Sequence, residues 1–333
     1  MNPDAFRLAR YRLVLEALEP LDLPPFKGSA LRGGFGHTFK RLVCFQPKQC
    51  DEHCSLGNTC PYGYIFETAP PENSEVLRTQ DEVPRPFIIE PPDDRRTLIS
   101  PGERLTFGLT LVGRAINYLP YFILVFRELG QAGLGRRRGK YRLAAIDSVA
   151  PLSLIGRGAG GEGEGQGQSI YRAEDDTIRA ADTSFGGEVI AARAAALPAD
   201  RLTVDFLTPA RLKHEGRWTQ SGPPFHVLVK TLLARVSSLS YFHCGQRWEA
   251  DFRGLIDRAA GVRIAQAQTR WEDWSRFSGR QEQRIEMGGL VGRITYAGDL
   301  RDYLPLLALG EWVHVGKGTV FGNGKYAIIE ART

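Results

Sequence analysis

The sequence predicts an α+β protein built from two similar halves, each with an antiparallel sheet and helices on one face. Two stretches, 112–146 and 296–329, run from a glycine through Tyr-Leu-Pro, an apolar helical stretch, a glycine-rich loop and Gly-Lys-Tyr to a β-like run. Their front ends also match, because 7–18 and 201–212 each lead into Pro-Pro-Phe and then a helical stretch. Two such matches in the same order indicate a duplicated chain.

Each half predicts the same order of elements: a strand, a helix, one or two strands, a helix that opens at Tyr-Leu-Pro, and a last strand after the glycine loop. In the second half, 226–239 carries apolar residues at helical spacing. This order suits a β-α-β-β-α-β, ferredoxin-like unit. We therefore predict tandem ferredoxin-like domains over 1–155 and 201–333, the second of which carries the final glycine-rich loop.

The segment between the two halves differs in composition. Residues 156–168 read GRGAGGEGEGQGQ. Such a segment cannot bury a core and behaves as a flexible connector or an exposed loop. Because 169–200 has no clear pattern, the sequence predicts a connector and an ambiguous segment over 156–200.

Composition indicates a soluble globular chain, with 42% hydrophobic and 24% charged residues among 333. The apolar stretch 115–126 is too short to span a bilayer and is broken by Pro120. We find no signal-peptide pattern, so we expect a cytoplasmic protein without a membrane segment. The net charge of +5 permits an anionic partner without requiring one.

The cysteines are clustered, since four of the five fall within seventeen residues: Cys44, Cys50, Cys54 and Cys60. Clustered thiolates in a chain of this size favour a metal over disulfides, and four thiolates suit a structural zinc site. We therefore predict a small metal-binding insert over 44–67. The spacing is wider than the usual C-x2-C knuckle, so an iron–sulfur cluster stays open, as does replacement of one thiol by His53.

The glycine-rich loops are the first candidate for binding. The last one carries Gly316, Gly318, Gly322 and Gly324, and backbone amides freed by positive φ can form a nest for phosphate oxygens. An ordinary turn before a strand is the alternative. The loop follows a helix and opens a strand, which argues against a dinucleotide site. Because both loops are basic, we favour the phosphates of a polymer.

His37 is the candidate general base. It lies in KGSALRGGFGHTFKRLV, where Ser29 can cap a helix and an apolar stripe forms from Leu31, Phe35, Phe39 and Leu42. One helical turn separates His37 from Gly33 on one side and from Arg41 on the other. A histidine among cations can activate a ribose hydroxyl. The alternative is a partly buried structural histidine.

Two further segments carry candidate contacts. His314 stands at the mouth of the last glycine loop and is a candidate ligand contact. The motif at 271–281, WEDWSRFSGRQ, mixes aromatic residues with Arg276 and Arg280, types that stack on bases and bind phosphates. It is equally compatible with an interface segment or with a strand and turn that place tryptophans in the core.

Taken in order, these segments resemble one known family. Its landmarks in this chain are FKGSALRGGFGHTFKRLVC (26–44), CPYGYIFE (60–67), PRPFIIEPP (84–92), FLTPARLK (206–213), FSGRQ (277–281), GGLVG (288–292) and HVGKGTVFGNGKY (314–326). The chain resembles the CRISPR precursor-RNA processing endoribonucleases of the RAMP superfamily, in the branch with a cysteine-rich insert. The last landmark is the most specific, because a C-terminal glycine-rich loop on tandem ferredoxin-like (RRM-like) domains defines the superfamily.

The resemblance implies cleavage of CRISPR repeat RNA without a catalytic metal or other cofactor. The ribose 2′-OH would attack the adjacent phosphate and leave a 2′,3′-cyclic phosphate or 3′-phosphate and a 5′-hydroxyl. In the family the base is commonly a histidine on or beside the first helix, which His37 matches, although some members lack it. Lys27, Lys40 and Arg32 are candidates for stabilising the developing charge.

The resemblance also implies an RNA-binding set and partners. The expected RNA contacts are the cations and glycines of the helix and loops: Arg32, Arg41, Arg136, Arg137, Arg138, Arg280, His314, Gly316, Lys317, Gly318, Gly322 and Gly324. The expected partners are CRISPR repeat RNA and precursor guide RNA, together with subunits of a CRISPR effector complex as an open case. Monomer and homodimer both stay open.

Two competing hypotheses remain at this stage. The first is a non-catalytic RNA-binding subunit of a CRISPR effector with the same fold and loops. The second is a zinc-stapled protein-interaction module, which predicts no RNA affinity at low salt.

Overall fold

The computed structural model describes residues 6–45, 54, 56–68, 83–149, 167–179, 181–278 and 283–329. The strands of the first half are β1 (Leu8–Ala17), β2 (Leu21–Asp22), β3 (Phe87–Glu90), β4 (Leu98–Ile99), β5 (Arg104–Val112), β6 (Tyr141–Ser148), β7 (Ser169–Arg172) and β8 (Thr177–Ile178). The main sheet has the antiparallel order β3-β5-β1-β6-β7-β8, and β2 pairs with β4 in a separate ribbon.

Three helices of the first half belong to the same hydrophobic cluster as the sheet: α1 (Gly28–Val43), α2 (Pro61–Phe66) and α3 (Leu119–Ala132). The predicted apolar stripe is confirmed for Leu31, Phe35 and Phe39, which are fully buried, whereas Leu42 is 37% exposed. The prediction that Ser29 caps α1 is wrong, because the helix already begins at Gly28 and the N-cap residue, Lys27, provides no side-chain cap.

In the second half, the strands are β9 (Arg201–Ala210), β10 (Lys213–His214), β11 (Arg217–Trp218), β12 (Arg263–Glu272), β13 (Ser275–Ser278), β14 (Gln283–Glu286), β15 (Gly289–Ala297) and β16 (Tyr326–Ile329). The helices are α4 (Gly187–Ala195), α5 (Phe225–Cys244), α6 (Phe252–Ala259) and α7 (Leu304–Val313). The main sheet has the antiparallel order β12-β15-β9-β16, while β10 pairs with β11 and β13 with β14.

The two main sheets share one strand order. Numbering the strands of each β-α-β-β-α-β unit from one to four, both sheets run 2-3-1-4 across four strands. The first sheet is extended by β7 and β8, which come from the segment that the sequence left ambiguous; that segment also contains α4. The glycine-rich stretch 156–166 lies outside the described residues.

The apolar cores of the two halves interlock. The hydrophobic cluster around the second sheet also contains Phe6, Leu8, Ile88 and Val112 from the first half. In return, Met287, Val320 and Phe321 of the second half belong to the cluster of the first. Apolar burial on both sides of the junction therefore fixes how the halves pack.

A buried ionic network joins the same two halves. The Glu90 carboxylate accepts hydrogen bonds from Arg10 Nη2 at 2.9 Å and from the Thr110 hydroxyl at 2.9 Å. The ammonium of Lys325, which follows the last glycine loop, lies 3.0 Å from Glu90 Oε2. Burial alone would raise the pKa of Glu90, but Arg10 and Lys325 outweigh it and hold the pKa well below its usual range. Lys325 therefore ties the loop to the first half.

No helix among the described residues is both long and apolar enough to cross a membrane.

Candidate nucleic-acid interface

His37 lies in the middle of the exposed face of α1. Buried positions fall on one side of the helix, and Gly33, His37 and Arg41, each one turn apart, are exposed on the other. Lys40 is half-buried at the edge of this face, with its ammonium 5.9 Å from the centre of the Tyr62 ring. Within the described part of the chain, no residue hydrogen-bonds the His37 imidazole. The exposed face of α1 therefore offers a solvent-accessible imidazole between a glycine and cations.

The glycines of α1 are required for different structural reasons. A Cβ at Gly36 would lie 2.0 Å from Phe66 Cζ, and one at Gly34 would lie 2.9 Å from Leu129 Cδ2, so both are needed for packing within the protein. A Cβ at Gly33 would meet nothing within 4 Å. Internal packing therefore leaves Gly33 unexplained, and it is the position on this face where a bound molecule can approach the helix backbone.

Lys27 does not fit the predicted catalytic role. Its side chain has no solvent exposure, and the ammonium donates a hydrogen bond to the backbone carbonyl of Asp94. Burial lowers the pKa of Lys27 despite the nearby Asp94 carboxylate. The position before α1 turns this lysine inward, where it holds the 91–97 loop.

The glycines of the final loop are only partly accessible. Gly322 and Gly324 are buried with φ of +90° and +69°. A Cβ at Gly324 would lie 1.8 Å from the Val315 carbonyl oxygen, and one at Gly322 would lie 2.2 Å from Pro91 Cδ. These two glycines therefore allow the protein's own backbone to pack closely, which corrects the prediction that they contact RNA.

His314 is also buried, contrary to its predicted place at the mouth of the loop. It has φ of +59° and no exposed surface, and its Nδ1 lies 3.2 Å from the Asn323 carbonyl oxygen. Burial lowers the pKa of His314 to about 3, so the ring is neutral at pH 7. It closes the loop from inside and cannot contact an external ligand.

The exposed tip of this loop is the short turn at 316–318. Lys317 is exposed, and its backbone amide donates to the Arg211 carbonyl at 3.3 Å. Gly316 and Gly318, with φ of +86° and +80°, lie on either side and are half-exposed. Of the predicted loop contacts, these three residues stay available to a ligand.

The predicted arginine run lies on the turn between α3 and β6. Arg136, Arg137 and Arg138 are all exposed, and Arg137 lies 3.7 Å from Asp22 in a loose ion pair. The neighbouring Leu134 approaches α1, because a Cβ at Gly34 would lie 3.3 Å from its Cδ1. The segment that leads into this turn therefore packs against α1, and the turn itself carries three exposed positive charges.

Arg32 points away from that face and joins two other arginines. Its guanidinium carbon lies 3.9 Å from the ring centre of Phe66 and 5.0 Å from that of Phe321. The Arg276 guanidinium carbon lies 4.8 Å from the same Phe321 ring, and Arg85 Nε donates to the Phe66 carbonyl at 2.5 Å. Sequence reasoning missed Arg85, because an arginine between two prolines carries no local signal of a site.

The described cysteines do not form a metal site. Cys44, Cys54 and Cys60 form no disulfide and are half-buried, and no three histidine, cysteine or acidic side chains among the described residues are placed to hold a metal ion together. Cys50 and His53 lie outside the described residues, as does Arg280. The zinc insert and the cysteine-rich branch stay predictions.

One cavity of the described chain lies away from the α1 face. It holds about 780 Å³ and is lined in part by Arg7, Tyr11, Arg114, His243 and Cys244. Tyr11 is buried, and burial raises its pKa. This cavity includes none of the predicted catalytic or RNA-binding residues.

Comparison with known proteins identifies the family. The family model AF_1859_N, an N-terminal domain, matches residues 6–183, just over half of the chain. The model described as CRISPR-associated endoribonuclease Cas6 matches residues 204–326. The C-terminal part of the chain therefore belongs to the CRISPR-associated Cas6 family. An uncharacterized protein of Archaeoglobus fulgidus is 25% identical over 320 residues, which is 92% of each chain.

Solved structures of Cas6 proteins share the fold. A Cas6 (TTHB231) product complex superimposes with a TM-score of 0.54 at 16% identity, covering 97% of this chain and 99% of that one. Thermus thermophilus Cas6 (TTHB231) gives 0.51 at 15% identity with the same coverage. A partial Cas6-RT-Cas1–Cas2 complex gives 0.54 at 14% identity, covering 99% of this chain and 46% of that one. These TM-scores support a shared α+β fold.

Proposed function

We propose that this protein, whose C-terminal part matches the Cas6 family, cleaves CRISPR repeat RNA with His37 as the general base. His37 would take the proton of a ribose 2′-OH while the oxygen attacks the adjacent phosphorus. The P–O5′ bond breaks, and the leaving oxygen takes a proton, so that a 2′,3′-cyclic phosphate and a 5′-hydroxyl remain. The observation that carries this proposal is the exposed imidazole on α1, one turn from bare Gly33 and from Arg41.

The surrounding cations support an RNA substrate. Arg41 lies on the α1 face, Arg136, Arg137 and Arg138 are exposed on the turn between α3 and β6, and Lys317 is exposed at the loop tip. Exposed cations can neutralise several phosphates of a polymer, and that contribution weakens as salt rises. The matching strand orders of the two halves further support tandem ferredoxin-like domains.

One observation favours the second candidate, a non-catalytic RNA-binding subunit of a CRISPR effector. A general base is usually oriented by a hydrogen bond to a third group. His37 has no such partner among the described residues. Orientation would then have to come from the RNA itself.

Incubation with labelled cognate repeat RNA in EDTA tests the proposal. We expect wild type to cut the RNA once per repeat, and His37→Ala to bind the repeat with nearly unchanged affinity but cleave at least about 100-fold more slowly. The matched control is His214→Ala, a half-exposed histidine of the second half. If His37→Ala cleaves at the wild-type rate, or wild type binds without cleaving, the catalytic proposal is wrong.

The chelator needs its own control, because a structural zinc is still predicted. Circular dichroism in EDTA shows whether the chain stays folded, and metal analysis of the purified protein measures bound zinc or iron. One equivalent of zinc that depends on Cys50 would support the four-cysteine insert. A metal-free protein that cleaves RNA would exclude it.

A further inference from the structure

Three arginine side chains converge at the junction of α1 with the last glycine loop. Arg32 comes from α1, Arg85 from the segment before β3, and Arg276 from β13. Arg32 and Arg276 both lie over the Phe321 ring, and Arg32 and Arg85 both contact Phe66. Folding therefore brings together three like charges that are far apart in sequence.

Within the described part of the chain, these charges lack the usual neutralising partner. No carboxylate there forms an ion pair with any of the three guanidiniums, although the negative charge of Glu67 acts on Arg32. The Nε atoms of Arg32 and Arg276 are shielded from solvent, and no described residue accepts a hydrogen bond from them. Buried donors of this kind cost free energy unless an acceptor is supplied.

The lowered pKa of Arg32 reflects this unfavourable environment. Burial, followed by the charges of Arg85 and Arg276, lowers its pKa to about 10, and nearby Tyr62 and Glu67 only partly offset this. Arg32 is still protonated at pH 7. The half-buried cluster therefore keeps its positive charges in a place where they repel one another, which an anion would relieve.

We propose that Arg32, Arg85 and Arg276 form a binding site for a phosphate-type oxyanion. Guanidinium groups bind such anions with paired, charge-assisted hydrogen bonds. If the protein binds RNA as proposed above, the anion in this site is a phosphate of the RNA backbone. The site lies on the Phe66 and Phe321 side of α1, apart from the exposed His37 face.

Thermal unfolding with added inorganic phosphate or sulfate tests the site without RNA. At constant ionic strength set with chloride, we expect wild type to gain a saturable increase in Tm. Arg276→Gln and Arg85→Gln should lose most of that increase, whereas the matched control Arg301→Gln, an exposed arginine paired with Asp299, should keep it. In chloride alone, Arg276→Gln should be at least as stable as wild type, because a repulsion has been removed.

RNA binding distinguishes the two sources of the anion. If the ligand is an RNA phosphate, Arg276→Gln should weaken repeat binding about 10-fold or more and reduce the slope of log affinity against log salt by about one. If only the inorganic anion responds, the site exists but takes a free oxyanion. No anion-dependent stabilisation of wild type, or an unchanged response in both glutamine variants, would overturn the proposal.

The outcome is separable from that of the proposed function. If wild type shows no anion-dependent rise in Tm but cleaves RNA normally, only the proposed oxyanion site is wrong. If wild type shows the anion-dependent rise in Tm but does not cleave RNA, only the catalytic role of His37 is wrong.

Discussion

Replacing the carboxylate of Glu90 tests how the two halves are joined. Its side chain is 5% exposed and contacts Arg10 Nη2 at 2.9 Å and Lys325 Nζ at 3.0 Å. Glu90→Gln keeps the shape but leaves two half-buried cations, Arg10 and Lys325, without their anion. Removing one partner of a buried ion pair typically costs about 3–5 kcal/mol, a large share of the roughly 5–15 kcal/mol that stabilises a typical native protein.

The expected change in Tm follows from chain length. With an unfolding entropy of about 2.1 cal/mol/K per residue, a chain of 333 residues has roughly 0.7 kcal/mol/K. Glu90→Gln should therefore lower Tm by roughly 4–7 °C if the chain unfolds as one unit. Scanning calorimetry measures this directly. The matched control is Asp302→Asn, which removes one partner of an exposed ion pair with Arg258 and should leave Tm unchanged.

The pH dependence gives an independent check of the sign. Because the folded-state pKa of Glu90 is depressed, its contribution is complete above the unfolded pKa of about 4.3 and is lost as pH falls below it. The stability difference between wild type and Glu90→Gln should therefore shrink below about pH 4. A Tm within 1 °C of wild type at pH 7 would refute the assignment of this network to the junction.

Two further predictions concern the last glycine loop. Gly324→Ala should lower the free energy of unfolding by about 3 kcal/mol or more, since a Cβ would lie 1.8 Å from the Val315 carbonyl oxygen. The control Gly216→Ala, with φ of +79° and open space around it, should lower it by only about 1–2 kcal/mol. Equal losses of stability in urea unfolding would contradict the packing argument. Burial lowers the pKa of His314 to about 3, below the unfolded value of about 6.5. Between pH 6.5 and 5 the unfolded chain therefore binds a proton that the folded chain does not. This residue alone should lower wild-type stability by up to about 1.4 kcal/mol for each pH unit of acidification. His314→Asn should flatten that slope, because asparagine tolerates positive φ but does not titrate. An unchanged slope in His314→Asn would show that folding does not lower the pKa of the ring.

Local patterns in the sequence determined the elements and their order. The duplicated Tyr-Leu-Pro and Gly-Lys-Tyr segments correspond to the equivalent starts of α3 and α7 and of β6 and β16. The stripe of Leu31, Phe35 and Phe39 is buried as helical periodicity requires. These features depend on spacing along the chain, and spacing is what a sequence displays.

Tertiary packing alone decided which polar residues stay accessible. His37 and Lys317 are exposed, whereas Lys27 and His314, equally polar in sequence, are buried because the two halves interlock around them. The same packing assigned Gly322 to a contact with Pro91 and brought Arg276 to Arg32 across most of the chain. Burial depends on what lies opposite a side chain in space, and that neighbour comes from a distant segment that no local pattern identifies.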